Sequence, residues 1–297
     1  MNHEGTNDTG LWLAMNNASR LWPWLRDNSK YRPSVGLVLG SGHSALADQV
    51  TKADIFSYAD IPHFPSSTVP GHAGRLVLGE LGGHTCVVMQ GRFHMYEGYS
   101  ANTVVFPVRV MKLLGVHTLL LTNAAGGLNP EYNVGDIMLM KDHIFLPGLA
   151  AHGPLVGPND ERFGPRFPST SDAYDQELRA IARAVAKELK LGQRLREGVY
   201  VMEGGPAFES VAECRMLKLM GGDAVGMSTV PEVHAARHCG IRVFAISLIT
   251  NMAVLEFDSP EHATHAEVLE TGKRSAANIQ QLIINLLTRM PPPAHND

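Results

Sequence analysis

Short runs of apolar residues, many of them β-branched or Leu, recur along the chain between longer stretches of helical period. VGLVL (35–39), RLVLGEL (75–81), TCVVM (85–89), TLLLT (118–122), IMLM (137–140) and VFAISLI (243–249) predict strands. Several are apolar at every position, as strands covered on both faces are. DQELRAIARAVAKELKLG predicts a helix, because Leu178, Ile181, Ala182, Val185, Ala186 and Leu189 form one apolar stripe, with Gly192 placed to end it. Segments 101–114 and 261–289 follow the same period. Alternation of strand and helix predicts an α/β fold: a central mixed, mostly parallel sheet with helices on both faces. The expected organisation is a single domain over 1–297, frayed at about 1–9 and at 290–297.

Two stretches interrupt this rhythm, DIPHFPSSTVPGHAGR (60–75) and FLPGLAAHGPLVGPNDERFGPRFPSTSD (145–172). Both read as mobile loops, and loops of such length inside a compact domain usually carry function. Composition narrows the class. With 297 residues, 44% of them hydrophobic and 18% charged, the chain can bury a large core. The formal net charge is −4 and no Lys/Arg block occurs, so the footprint of a nucleic-acid binder is missing. Any bound anion must be small and held locally. The three cysteines, Cys86, Cys214 and Cys239, form no CxxC pair and argue against a disulfide framework. The opening MNHEGTNDTG lacks the features of a signal peptide, and no apolar run approaches the roughly 20 residues of a membrane span. The expected location is cytoplasmic. Histidine is abundant, at 14 residues, but shows no HExxH or other compact ligand spacing, so no metal is expected.

Candidate chemistry gathers where apolar runs end. MQGRFHMYEG (89–98) follows a buried-strand pattern, and extended chain would place Arg92, His94 and Tyr96 on one side. Arg with His suits an anion, although a solvated strand end explains this stretch equally well. VGLVLGSGHSAL (35–46) runs from strand through glycines toward a helix, offering backbone N–H groups and the Ser41 hydroxyl to a phosphate. Its GxGxxA spacing also raises a dinucleotide fold, but no acidic residue follows at the distance a ribose contact needs. GHAGR adds His72. TLLLTNAAGG ends a strand in small residues that let backbone, including that of Ala124, approach a ligand. In VMEGGPAFES, Phe208 offers a stacking surface and Glu209 an acceptor for ring N–H groups, unless Glu209 merely complements a helix start. DAVGMST presents Met227 and Ser228, of which Met is usually core filler. SLITN ends an apolar strand in Asn251, a side chain expensive to bury unless bonded.

Taken in order, GSGH, STVPGHAG, GRFHMYEG, TNAAGGLNP, GPNDERFG, GPAFES, VGMSTVPE and SLITN resemble the trimeric purine nucleoside phosphorylases, over about residues 20–288. The 6-oxopurine branch is a better match than the methylthioadenosine phosphorylases. The resemblance implies reversible phosphorolysis of inosine and guanosine to free base and ribose 1-phosphate, without metal or organic cofactor. It further implies a phosphate site of Ser41, His72, Arg92, His94, Ala124 and Ser228. The nucleoside site would comprise Tyr96, Phe208, Glu209, Val225, Met227, Asn251 and His265, with Phe167 supplied by a neighbouring subunit of a homotrimer. Asn251, Glu209 and His94 would carry the catalytic roles. Met252 departs from the Lys common in animal members, and the Glu203-Gly204-Gly205 loop matches least well. A methylthioadenosine phosphorylase is the alternative, with a non-catalytic nucleoside-binding protein behind it. Asn251 and His265 argue against the first.

Overall fold

A computed structural model describes residues 21–69 and 73–291. His72 and the ends at 1–9 and 292–297 therefore lie outside the described residues. At the centre, β1 (Val35–Leu39) runs parallel to β4 (His84–Gln90) on one side and β5 (Thr118–Gly127) on the other. Next to β5, β9 (Arg242–Met252) is again parallel. Outward from β4 lie β3 (Arg75–Leu81) and the edge strand β2 (Thr51–Ser57), both antiparallel to their neighbours. Beyond β9, β6 (Ile137–Phe145) pairs antiparallel with it and parallel with β7 (Leu195–Met202). The short β8 (Ala224–Gly226) lies parallel to β7 and antiparallel to the last two residues of β5. The sheet is mixed, with parallel pairings in the majority.

Alternating side chains explain why the central strands are apolar throughout. Val38 faces one core together with Val104, Val105, Val108, Val230 and Val233. Its neighbours Leu37 and Leu39 face the other with Leu178, Val185, Ile279, Leu282 and Ile283. Helices α1 (Ala101–Leu113) and α4 (Val230–His238) thus cover the first face, and α2 (Gln176–Glu188) and α5 (His265–Arg289) the second. Burying each such Leu or Val contributes about 1.5–3 kcal/mol. Between β7 and β8, α3 (Val211–Leu219) starts at a reciprocal cap, with Ser210 Oγ accepting from Glu213 N and the Glu213 carboxylate from Ser210 N.

Several boundaries differ from the sequence reading. β5, β6 and β9 extend past their apolar runs, to Gly127, Phe145 and Met252. α2 ends at Glu188, and the chain reverses at Lys190 (φ +60°) rather than at Gly192, which opens a 3-10 turn. The Gly-Ser-Gly turn leads into a six-residue 3-10 helix, Ser44–Gln49, so no α-helical dipole faces that turn. Met290 is not frayed, since it is buried and its N–H reaches Leu286 O. The long 145–172 segment is docked by Arg109, which donates to Pro154 O at 3.2 Å, and by Asn159, bonded to Gly164 O and His238. Gly164 is required there, because a Cβ would sit 1.7 Å from His238 O.

Candidate active site

β4, β1, β5 and β9 are mutually parallel, so their C-terminal ends meet at one edge, where open α/β sheets place ligands. One cleft opens there. Its walls include Ser41 beyond β1, Arg92, His94 and Tyr96 beyond β4, and Ala124 on β5. Val225, Met227 and Ser228 come from β8 and its exit, Asn251 from β9, Phe208 and Glu209 from before α3, and His265 from the start of α5. Two sequence-predicted site residues are not among the lining. His72 lies outside the described residues. Phe167 is 88% exposed and lines a separate groove with His143, Phe145, Arg166 and His234.

Arg92, His94 and Tyr96 do not alternate along a strand. β4 stops at Gln90, Gly91 takes φ +117°, and His94 starts a 3-10 turn over Met95–Glu97. This turn puts His94 and Tyr96 in a stack, with centroids 4.5 Å apart and planes 18° apart. It also brings up a carboxylate that sequence reasoning missed. Glu97 Oε1 meets His94 Nδ1 at 2.9 Å and accepts from His94 N at 2.8 Å. Its Oε2 accepts from Thr68 N at 2.8 Å and Thr68 Oγ1 at 2.5 Å. Burial alone would raise Glu97, but the bonds from His94 and Thr68 outweigh it and hold the carboxyl at about 2. Burial pulls His94 below its ordinary value, opposed by its bond to Glu97. The ring is therefore neutral near pH 7, with Nδ1–H donated to Glu97 and Nε2 the unprotonated ring nitrogen. An acidic residue three positions after a histidine was the available signal.

Arg92, 1% exposed, is pinned from behind: Nη1 donates to Thr122 O at 2.7 Å and Nε to Glu232 Oε1 at 3.0 Å. Gly40 permits this crossing, since a Cβ there would lie 2.6 Å from Thr122 O and 3.1 Å from Arg92 Nη1. Thr122 Oγ1 accepts from Gly40 N and lies 2.8 Å from Nδ1 of the buried His43. Burial, then the charge of Arg92, takes His43 down to about 4, so it is neutral. His43, Thr122 and Glu232 stand inside GSGH, TNAAGGLNP and VGMSTVPE, but nothing at short spacing announced their contacts around Arg92.

At the other end of the cleft, a bulge aims Asn251. Ala125 pairs with Ile249 but Gly126 with Asn251, leaving Thr250 as an extra residue. Thr250 Oγ1 lies within donating reach of Asn251 Oδ1, at 3.1 Å, and of Ala125 O, at 3.3 Å, while the Asn251 Nδ2 end of the amide packs against Gly126. Burial raises the carboxyl of Glu209. Burial and the charges of Glu209 and Glu213 raise Glu203, just past β7, to about 7. Between the two ends, the 204–206 loop closes on Tyr96 and Met227, for a Cβ on Gly205 would meet Met227 Sδ at 2.5 Å. His265, exposed, opens α5 beside them. Cys86, Cys214 and Cys239 are free and buried. Among the described residues, no three His, Cys, Asp or Glu side chains gather to hold a metal ion.

The cleft has a cationic end, a donor–acceptor end and an amphipathic middle. Such a site can hold an anion against a sugar whose heterocycle is read by hydrogen bonds. Residues 34–288 match the phosphorylase superfamily. The chain is 56% identical to the purine nucleoside phosphorylase of Bos taurus over 272 residues, 92% of this chain and 94% of that protein. It is also similar to the crystal structure of Schistosoma mansoni purine nucleoside phosphorylase in complex with inosine. The TM-score is 0.90 at 48% identity, covering 94% of this chain and 98% of that one. The complex of the Schistosoma mansoni protein with adenosine gives 0.91 at 49% identity, with the same coverage.

Proposed function

The chain belongs to the purine nucleoside phosphorylases of the phosphorylase superfamily, and from that membership we propose that it cleaves purine ribo- and deoxyribonucleosides by reversible phosphorolysis. The preferred substrates are inosine and guanosine, and the products are the free base and (deoxy)ribose 1-phosphate. The observation that carries this reading is the convergence of Arg92 and the His94–Glu97 pair with Asn251 and Glu209 on one cleft.

Phosphate binds at the Arg92 end, where the planar guanidinium fork matches its oxygens. Ser41, Ser228 and the Ala124 N–H complete the cradle, and neutral His94 accepts from a protonated phosphate oxygen through Nε2. His72 belongs to the same anion site. A phosphate oxygen attacks C1′ as the bond from C1′ to N9 breaks, and the electron pair leaves with the purine. Positive charge grows on the ribose, where the adjacent phosphate stabilises it, much as a carboxylate does in glycosidases. Negative charge grows on the base, where the Asn251 amide donates toward N7 and O6. Glu209 accepts from N1–H. Tyr96 and Met227 hold the sugar, His265 its 5′-hydroxyl, and Phe208 and Val225 the ring faces. The nucleophile is the co-substrate itself, so the chemistry needs no metal or organic cofactor.

The assembly is a homotrimer in the cytoplasm, in which Phe167 of one subunit enters a neighbour's ribose site. Its 88% exposure in the single chain leaves it available for that contact. No helix among the described residues is long and apolar enough to cross a membrane. The Schistosoma mansoni relative has been crystallised with adenosine as well as inosine, so turnover must be tested, not binding alone. The deciding experiment is base release from inosine, guanosine, adenosine and methylthioadenosine, each with and without phosphate. Release from inosine that ignores phosphate would make the protein a hydrolase.

A further inference from the structure

Behind the anion end lies a charged pair of which only one member meets the cleft. Glu232, in the first turn of α4, is 3% exposed and does not line the cleft, whereas Arg92 does. Its Oε1 takes the Arg92 Nε–H at 3.0 Å, across 140 residues of chain. Its Oε2 has no partner among the described residues. Burying a carboxylate with one bond is costly, and well-packed apolar residues would often serve stability as well. The pair therefore calls for another role. Nε held by Glu232 and Nη1 held by Thr122 O fix both the plane and the rotation of the guanidinium.

The same helix start reaches the cradle a second way. Thr229, the residue before α4, holds φ +77°, a region that β-branched residues rarely enter. Its Oγ1 accepts from Asn123 Nδ2 at 2.9 Å and lies 3.2 Å from Ser228 Oγ. One turn of helix thus braces both Arg92 and Ser228.

We propose that Glu232 is a positioning residue for the co-substrate anion, acting through Arg92 to set the orientation in which the guanidinium meets phosphate. The inference rests on the phosphorolysis reading above. It concerns where the donor fork points, not the charge of the site.

Glu232→Gln keeps an oxygen at the same reach and removes the charge. Glu232→Asp keeps the charge and withdraws the carboxylate by one methylene, and Glu232→Ala removes the contact. Steady-state kinetics with inosine, varying phosphate and nucleoside separately, distinguishes them. Asp and Ala are expected to raise phosphate KM about tenfold or more, the scale of a lost charge-assisted bond. Gln should stay within about threefold of the parent, since its oxygen still accepts from Nε. Nucleoside KM should move less than about twofold in all three. A purely structural role would lower Tm across the series without separating Asp from Gln in phosphate KM. If Ala does not fold, the Asp–Gln comparison alone decides. Phosphate KM within twofold of the parent in Asp, or as high in Gln as in Asp, would overturn the proposal. A parent that released base without phosphate would instead overturn the reading beneath it.

Discussion

Glu97→Gln isolates what holds His94. Glu97 accepts four hydrogen bonds, from His94 N, His94 Nδ1, Thr68 N and Thr68 Oγ1, and its side chain is 2% exposed. A neutral amide can keep its oxygen toward His94, but its NH₂ then faces the Thr68 N–H, donor against donor. Bonds to a charged acceptor contribute about 1.5–3 kcal/mol and neutral ones about 0.5–1.5, so each surviving bond loses roughly 1 kcal/mol. The total loss is about 2–4 kcal/mol, most of it in stability. Only the share that fixes the His94 tautomer is felt by phosphate. One such bond, at roughly 1 kcal/mol, predicts a fall in kcat/KM for phosphate of about fivefold, with nucleoside KM nearly constant. The pH dependence has a definite sign. Glu97 holds the His94 pKa up against burial, so its neutralisation lets that pKa fall further, and any acid limb set by His94 moves to lower pH. Kinetics at fixed inosine, with NMR titration of the His94 ring, measure both. Unchanged phosphate kinetics together with an unmoved His94 titration would refute the argument.

Asn251→Asp should cut inosine turnover by about 10²–10³, as losing one transition-state donor does, while the ratio of adenosine to inosine turnover rises. A ratio that stays constant across the two enzymes would remove Asn251 from base reading. Glu203 provides a stability test. Its carboxyl is raised from 4.5 to about 7, so the folded state holds the proton longer than the unfolded chain does. Its contribution is full below pH 4.5, declines as pH rises toward 7 and is lost above. The Tm difference between Glu203→Gln and parent should therefore grow in the variant's favour between pH 4.5 and 8, and a flat difference would contradict it. Phe167→Ala should weaken nucleoside binding in a protein that sediments as a trimer. In mixtures with an Asn251-inactivated chain, activity should follow subunit composition, and a fully active monomer would rule the shared site out.

The elements that were legible are those whose apolar pattern reports burial directly. VGLVL and RLVLGEL match β1 and β3 residue for residue, because both lie between covered faces or near them. β2 was not legible: as an edge strand it carries exposed Thr51 and Lys52 and shows no apolar run. β7 begins with charges that look unlike a strand until their partners are seen, Arg196 on Asp136 and Glu197 with Arg179 and Arg183. In the site, residues at strand ends could be read locally, since small and polar side chains after an apolar run have few structural reasons to be there. Glu232 and Thr122 could not, because they act through Arg92 from 140 and 30 residues away. No local pattern encodes such contacts. The Gly-Ser-Gly turn, expected to offer Ser41 and backbone N–H groups to a phosphate at a helix start, brings Gly40 and Ser41 to the cleft but opens a 3-10 helix instead of an α-helix.

Phosphorolysis requires phosphate as the nucleophile, and one measurement tests this directly. Purified protein is incubated with inosine in phosphate-free buffer and again with saturating phosphate, and both hypoxanthine and the sugar product are quantified. The account predicts hypoxanthine only when phosphate is present, in equal amounts with ribose 1-phosphate, and the reverse synthesis from those two products. Hypoxanthine released at the same rate without phosphate, with free ribose as its partner, would contradict it.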